Sequence, residues 1–155
     1  MLSAISSSPN QIYYLQTKTG IPKADKQTIK HWLDWGGTNV AYLKVRKDLP
    51  DWPAAGKVDG SAHIIGQRGL IFLFNPNKEA ANGNFVLSTA AIGLEKGKRF
   101  VVSQSYPAAE KSLEANWEQT VKWEIPGQSV CILEIAPKKS GQKKLSEPVP
   151  RATPR

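Results

Sequence analysis

The sequence has few residues that could bind a transition metal or form a disulfide. Cys131 is its one cysteine, so an internal disulfide is impossible and a zinc site built from several cysteines is excluded. The two histidines, His31 and His63, would need carboxylates as co-ligands. We therefore expect neither a metal ion nor another cofactor.

The sequence also lacks the motifs of several common catalytic and nucleotide-binding sites. Neither Gly-x-x-x-x-Gly-Lys-Ser/Thr nor Gly-x-Gly-x-x-Gly after a strand occurs, so the usual cradles for nucleotide phosphates are absent. Gly-x-Ser-x-Gly is missing too, which disfavours a Ser-His-Asp mechanism. No catalytic residue is predicted in this chain.

Long apolar runs are absent as well. A membrane-spanning helix needs about 20 apolar residues, whereas the best runs here cover only residues 70–74 and 130–133. The residues after Met1 have neither the basic start nor the apolar stretch of a signal peptide. The sequence therefore predicts a soluble protein with no export signal and no membrane partner, and leaves its location open.

Positive charge is abundant, but it is concentrated at one end of the chain. The formal net charge is +8, and residues 138–155 hold six lysines and arginines against Glu147 alone. This segment is rich in proline and polar residues, so we expect a flexible basic tail at 138–155. Such a tail can attract RNA or other anionic surfaces, but no folded basic patch is indicated and we do not expect a nucleic-acid partner.

The first part of the chain, residues 1–60, has the pattern of a helical lead-in followed by a loop rich in Pro, Gly and Trp. Residues 25–35 place Ile29, Trp32 and Leu33 at helical spacing, and the glycines at 36 and 37 interrupt the pattern. A second short helix would then turn Val40 and Leu43 inward. Both helices need a surface that covers their apolar side.

From residue 61 to 137 the pattern changes to strands separated by turn residues, which is typical of an antiparallel sandwich. Residues 117–125 alternate strictly and put Trp117 and Trp123 on the inner face. Cys131 belongs to the inner face of the last strand and is predicted to be a small buried hydrophobe. We predict a mainly β fold, an antiparallel β-sandwich with a short N-terminal helical segment. Its expected strands are 62–65, 70–75, 84–90, 99–106, 117–125 and 129–135.

Three segments together resemble the end of a family of large enzymes. They are Lys-His-Trp-Leu-Asp-Trp at 30–35, Gly-Leu-Ile-Phe-Leu-Phe-Asn-Pro-Asn at 69–77 and the closing hairpin at 125–135. Their order is similar to the C-terminal region of α-galactosidase-type glycoside hydrolases. The resemblance implies a noncatalytic β-sandwich that packs against a catalytic barrel, and the family's two catalytic Asp residues lie on that barrel. The partner that covers the apolar face of the helices would then be either a catalytic barrel or a second copy of the chain.

A carbohydrate-binding module is the alternative. Five tryptophans are many for 155 residues, and aromatic faces can stack on sugar rings. Trp35 and Trp52 are the expected exposed platforms, with Asp59 and His63 as polar companions. A purely structural interpretation stays open, in which Asp59 caps the turn at Gly60 and Trp52 fills the space between helices and sandwich.

Overall fold

The computed structural model describes residues 1–7, 20–49, 56–108 and 111–138. In these ranges the chain begins with helices, continues with strands and places one short helix between two of them. The helices are α1 (Leu2–Ser7), α2 (Lys23–Thr38), α3 (Val40–Leu43) and α4 (Thr89–Ile92). The strands are β1 (Lys47–Asp48), β2 (Asp59–Ile65), β3 (Arg68–Asn75), β4 (Ala81–Val86), β5 (Arg99–Tyr106), β6 (Ser112–Asn116), β7 (Thr120–Ile125) and β8 (Ser129–Pro137).

The described strands form two sheets in which every pairing is antiparallel. The larger sheet has the order β1-β2-β3-β8-β5-β6, and the smaller one pairs β4 with β7. The two sheets pack on each other across a shared apolar core. The predicted fold class, a mainly β antiparallel sandwich with a short N-terminal helical segment, is confirmed.

The core between the sheets follows from alternation along the strands. In β7 the side chains of Val121, Trp123 and Ile125 are buried while the residues between them are exposed, because successive side chains of a strand point to opposite faces. Cys131 and Leu133 of β8 enter the same core from the larger sheet. The prediction of a one-sided amphipathic strand is therefore correct from residue 120 onward.

Cys131 is a buried core residue, as the sequence predicts. Its Sγ donates to Oε1 of Gln104 at 3.3 Å, and Nε1 of Trp123 donates to the same oxygen at 3.2 Å. Burial raises the pKa of the Cys131 thiol to about 12, although Lys111 and the contact with Trp123 act in the opposite direction. The thiol is therefore protonated at neutral pH.

The other face of the larger sheet is covered by helices. Leu70 and Phe72 of β3 and Ile132 of β8 point outward from the sandwich, where they meet Trp32 of α2 and Leu43 of α3. Leu2 and Ile5 of α1 complete this second cluster. The described residues thus form three layers: helices, the larger sheet and the smaller sheet. None of the described helices is long and apolar enough to cross a membrane.

The helical boundaries differ from the prediction. Helix α2 runs from Lys23 to Thr38 and passes through Gly36 and Gly37, where each glycine costs only about 1 kcal/mol relative to alanine. Trp32 and Leu43 are buried as expected, whereas Val40, which was expected to face inward, is exposed, and so is Leu33. Leu33 follows Trp32 by about 100° around the helix and so points away from the sheet.

Several strand boundaries also differ. The strand predicted from residue 117 begins at Thr120, because Glu118 adopts a φ of 64° in a turn. Strand β4 begins at Ala81, where a loop was expected. Strand β6 was not predicted, and β2 begins at Asp59 instead of residue 62. The predicted tail from residue 139 onward and residues 50–55 of the loop predicted at 48–60 lie outside the described residues.

Candidate functional site

An open cleft of about 250 Å³ lies between α1 and the beginning of β2. It combines hydroxyl groups, two cations, one carboxylate and an aromatic side chain, so it offers both hydrogen-bonding and apolar contacts. Its lining residues are Ser3, Ser6, Ser7, Arg46, Lys57, Asp59, Gly60, Ser61, Phe74 and Pro76.

Helix α1 supplies the serine-rich wall of the cleft. Leu2 and Ile5 are buried in the cluster beneath the helix and anchor it to the sheet. The serines on its other positions therefore face the cleft, and their hydroxyls also bond within the helix: Ser6 Oγ donates to the Ser3 carbonyl and Ser7 Oγ to the Ala4 carbonyl, each at 2.9 Å. The wall is thus both polar and ordered.

Arg46 connects this wall to the larger sheet. Its Nη1 donates to the backbone carbonyl of Ser6 at 3.2 Å. Its Nε and Nη2 donate to Oδ1 of Asp48, at 2.9 and 2.6 Å. Because Asp48 belongs to β1, one guanidinium group joins α1 to the edge of the sheet, and the Arg46–Asp48 ion pair lies beside the cleft.

The floor of the cleft is the start of β2. Asp59 Oδ1 accepts a hydrogen bond from the backbone N–H of Gly60 at 2.7 Å. Gly60 is required there, since a Cβ would lie 2.4 Å from the backbone oxygen of Phe72. Two residues after Asp59, Ser61 lines the cleft, and its Oγ lies 3.0 Å from Nε2 of His63.

His63 lies behind Ser61, with no exposed surface. Burial lowers the pKa of its imidazole, and the Arg46 guanidinium lowers it further, while the backbones of Tyr42 and Val45 and the Asp48 carboxylate act in the opposite direction. Its Nδ1 has no hydrogen-bond partner of good geometry among the described residues. The ring is therefore neutral at pH 7, and one of its nitrogens can accept a hydrogen bond from the Ser61 hydroxyl.

The structure brings together two of the four side chains singled out by the sequence. Asp59 lines the cleft and His63 contacts it through Ser61. Trp35 is half-buried and is not among the lining residues; its ring is edge-on to those of Trp32 and Phe72, with centroids 5.7 and 6.1 Å apart. Trp52 lies outside the described residues.

Sequence reasoning missed the other polar lining groups. The alternation of Asp59, Ser61 and His63 along one strand was a signal that could have placed them on one face. No local signal pointed to Arg46, because its contact with Ser6 joins residues 40 positions apart. Within the described ranges, no group of three or more His, Cys, Asp or Glu side chains is arranged to hold a metal ion.

Comparison with known proteins gives only structural neighbours. No family model matches the chain, and no curated protein matches it. Three solved structures that are similar to parts of it are glycoside hydrolases.

Three of these structures show how far the similarity extends. α-Galactosidase I from Mortierella vinacea is 14% identical with a TM-score of 0.42, over 61% of this chain and 24% of that one. A candidate α-N-acetylgalactosaminidase from Bacillus halodurans C-125 is 13% identical with a TM-score of 0.46, over 70% and 25%. A GH30 endoxylanase from Clostridium papyrosolvens C71 is 14% identical with a TM-score of 0.37, over 60% and 24%. The aligned part is about a quarter of each enzyme.

Proposed function

We propose that this chain is a noncatalytic β-sandwich domain of the kind that ends α-galactosidase-type glycoside hydrolases, and that its role is to pack against a catalytic barrel. The observation that carries the proposal is the apolar outer side of the helical layer. Leu33, Val40 and Val45 are 48%, 38% and 46% exposed.

These three side chains are concentrated in one short segment. Of the large apolar residues that are exposed in the described ranges, three of five lie between positions 33 and 45. Leu33 lies on α2, Val40 begins α3 and Val45 follows α3 by two residues. Single exposed apolar residues are ordinary, whereas a group of them indicates a surface that another molecule or domain covers.

Buried polar side chains in the same ranges bond to groups inside the fold. Asn75 Nδ2 donates to the carbonyls of Ile125 and Pro126 at 3.0 and 3.1 Å, which joins the end of β3 to the β7–β8 turn. Ser61 and His63 bond to each other beneath the helices. We therefore assign this chain a packing role and assign the acid/base carboxylates of the reaction to the barrel.

The test uses the purified chain, studied by analytical ultracentrifugation and by fluorescence of a dye that binds apolar surfaces. We expect a monomer that binds the dye, and we expect the double variant Leu33→Lys/Val40→Lys to lose most of that signal without losing stability. Ile65→Lys is the matched control, because Ile65 is 46% exposed on a β-hairpin instead of the helices. Its dye signal should stay close to that of the wild type.

Two results would contradict this role. A monomer with no dye-detectable apolar surface would leave nothing for a barrel to cover. A stable dimer that Leu33→Lys/Val40→Lys dissociates, and Ile65→Lys does not, would assign the surface to a second copy of the chain.

A carbohydrate-binding module is the second candidate, and the cleft beside Asp59 favours it. The cleft offers hydroxyl groups and a carboxylate next to the Phe74 ring, a combination suited to the polar edge and apolar face of a sugar. Calorimetric titration with galactosides, glucosides and pectic fragments tests this function. If none of the three ligands produced a heat of binding, the carbohydrate-binding function would be rejected.

A further inference from the structure

We propose that His63 is a pH-sensitive switch: when its ring takes up a proton from solvent, the segment that covers it separates from β2 while the sandwich stays folded. We call this segment, residues 40–48, the covering segment; it includes α3 and β1. The inference goes beyond the packing role proposed above and does not depend on it.

The ring of His63 is enclosed where the helical layer meets the larger sheet. It has no exposed surface, and it lies edge-on to Phe72 of β3 with ring centroids 5.2 Å apart. Its Nε2 is 3.0 Å from Oγ of Ser61, and its Nδ1 has no hydrogen-bond partner of good geometry among the described residues. An imidazolium in this position would be cut off from solvent, and a buried charge without a partner is costly.

The covering segment brings charges near the ring but no unpaired carboxylate. Asp48 is its acidic residue, and Nε and Nη2 of Arg46 both donate to Oδ1 of Asp48. Burial lowers the pKa of His63 most, and the Arg46 guanidinium lowers it further. The backbones of Tyr42 and Val45 and the Asp48 carboxylate act in the opposite direction. The closed arrangement therefore favours the neutral ring.

The other elements around His63 do not supply an acid either. Helix α1 has no acidic or basic side chain. On β3, the residue in register with His63 is Leu70, and Glu134 of β8 is in register with Leu70. Glu134 is thus two strands away from His63, about 10 Å across the sheet. A proton on the closed ring has no carboxylate next to it that is free to pair.

The covering segment is attached at the edge of the larger sheet. Its backbone pairs with β2 through the two residues of β1, which are in register with Ala62 and Ser61. The backbone N–H groups of residues 43–45 instead bond to carbonyls of residues 39–42, within the helical layer. The pairing of β3, β8 and β5 does not involve the segment. The segment can therefore separate without disturbing the core between the sheets.

Separation solves the problem that a proton creates. It gives the imidazolium access to solvent and moves Arg46 away from it, so the open form binds a proton that the closed form excludes. Since the pKa of His63 in the closed form lies below the ordinary 6.5, opening becomes more favourable as the pH falls below 6.5. Nη1 of Arg46 also donates to the Ser6 carbonyl at 3.2 Å, so α1 loses this contact when the segment separates.

The test is backbone hydrogen–deuterium exchange of the full chain from pH 7.5 to 5, corrected for the intrinsic pH dependence of exchange. The amides of Leu43, Lys44 and Val45 report opening of the segment, and those of Ile71 and Leu133, on central strands, report the core. At pH 5 the opening constant of the segment should be at least about tenfold larger than that of the core.

The opening constant of the segment should also rise as the pH falls. Between pH 7.5 and 5 we expect a rise of at least about threefold and at most about 30-fold, which is the limit for a group of pKa 6.5 that stays neutral in the closed form. His63→Gln keeps a polar group beside Ser61 but cannot be protonated, so it should abolish the rise. His31→Gln is the matched control and should retain it, because His31 lies on α2.

Three results would overturn the proposal: equal opening constants for segment and core at pH 5, no rise of the segment's opening constant in the wild type, or the same rise in His63→Gln. If His63→Gln does not fold, the ¹⁵N signals of the His63 ring in the wild type decide. They should titrate over the pH range in which Leu43, Lys44 and Val45 lose protection. Titration without that loss would equally overturn it.

Discussion

His63 is held between the larger sheet and the helical layer. Its ring lies edge-on to Phe72, with centroids 5.2 Å apart, and its Nε2 faces Ser61 Oγ. Burial and the nearby Arg46 disfavour the charged form and so lower the pKa of the imidazole. Protonation of His63 at acidic pH would therefore place a positive charge among apolar groups, where the larger sheet meets the helical layer.

This arrangement gives stability a defined dependence on pH. The folded-state pKa of His63 lies below the ordinary value of 6.5, so at lower pH the unfolded chain binds a proton that the folded chain does not. The contribution of His63 to the free energy of unfolding is fully present above pH 6.5 and decreases as the pH falls towards the folded-state pKa. Urea denaturation from pH 7.5 to 5 measures it.

His63→Gln should remove this component, so the difference in free energy of unfolding between wild type and variant should change across the same pH range. His31→Gln is the matched control, because it removes the other histidine, which lies on α2. Parallel pH profiles for the wild type and His63→Gln would contradict the argument.

Asn75 is the second residue whose role depends on burial. It is 2% exposed, and its Nδ2 donates to the carbonyls of Glu79, Ile125 and Pro126. Asn75→Ala leaves these carbonyls without that donor, so we expect the free energy of unfolding to fall by about 2 kcal/mol in urea denaturation.

Asn82→Ala is the control for this substitution, because Asn82 is an exposed asparagine on β4. It should change stability by less than about 0.5 kcal/mol. If both alanine variants lost the same amount of stability, the buried amide of Asn75 would not be the group that joins β3 to the β7–β8 turn.

At the scale of elements, the helical layer is part of the folded unit because aromatic side chains connect it to the sheet. Trp35 is half-buried between Trp32 and Phe72. A fully buried tryptophan replaced by alanine costs about 3–5 kcal/mol. We expect Trp35→Ala to lower the free energy of unfolding by about 2 kcal/mol in urea denaturation.

Leu33→Ala is the neighbouring control, since Leu33 is 48% exposed. It should change the free energy of unfolding by less than about 0.5 kcal/mol. A Trp35→Ala variant as stable as the wild type would show that this tryptophan does not fasten the helices to the sheet. Loss of sugar binding without loss of stability would make Trp35 a binding platform.

Sequence reasoning predicted well the elements that have one solvent-exposed face or that end at a proline. Val121, Trp123 and Ile125 alternate with exposed residues, and β5 ends at Tyr106 before Pro107, as predicted. Helix α2 was predicted too short because glycine lowers helix propensity without forbidding a helix. Trp35 was expected to be exposed. Its packing against Phe72 joins distant parts of the chain, so the local sequence gives no sign of it.

The candidate site was less predictable for the same reason. Asp59 and His63 were singled out from the sequence, but the cleft exists only because α1 lies beside β2. The Arg46–Ser6 hydrogen bond that helps to hold it there spans 40 positions. Contacts of that separation leave no periodic signal in the residues around them.

At the scale of the whole molecule, the large apolar side chains of the described residues fall into a buried set and an exposed set. The interior faces of helices and sheets bury the apolar side chains of two clusters. The outer side of the helices leaves Leu33, Val40 and Val45 exposed. The proposed packing role predicts such a division, because a second domain would cover the exposed group.

The most direct test is hydrolysis of a panel of nitrophenyl glycosides by the purified chain. A packing domain should release nitrophenol no faster than buffer does, and no faster than the Asp59→Asn variant does. Turnover of any of these glycosides that disappears in Asp59→Asn would contradict the account and place a reaction centre in this chain.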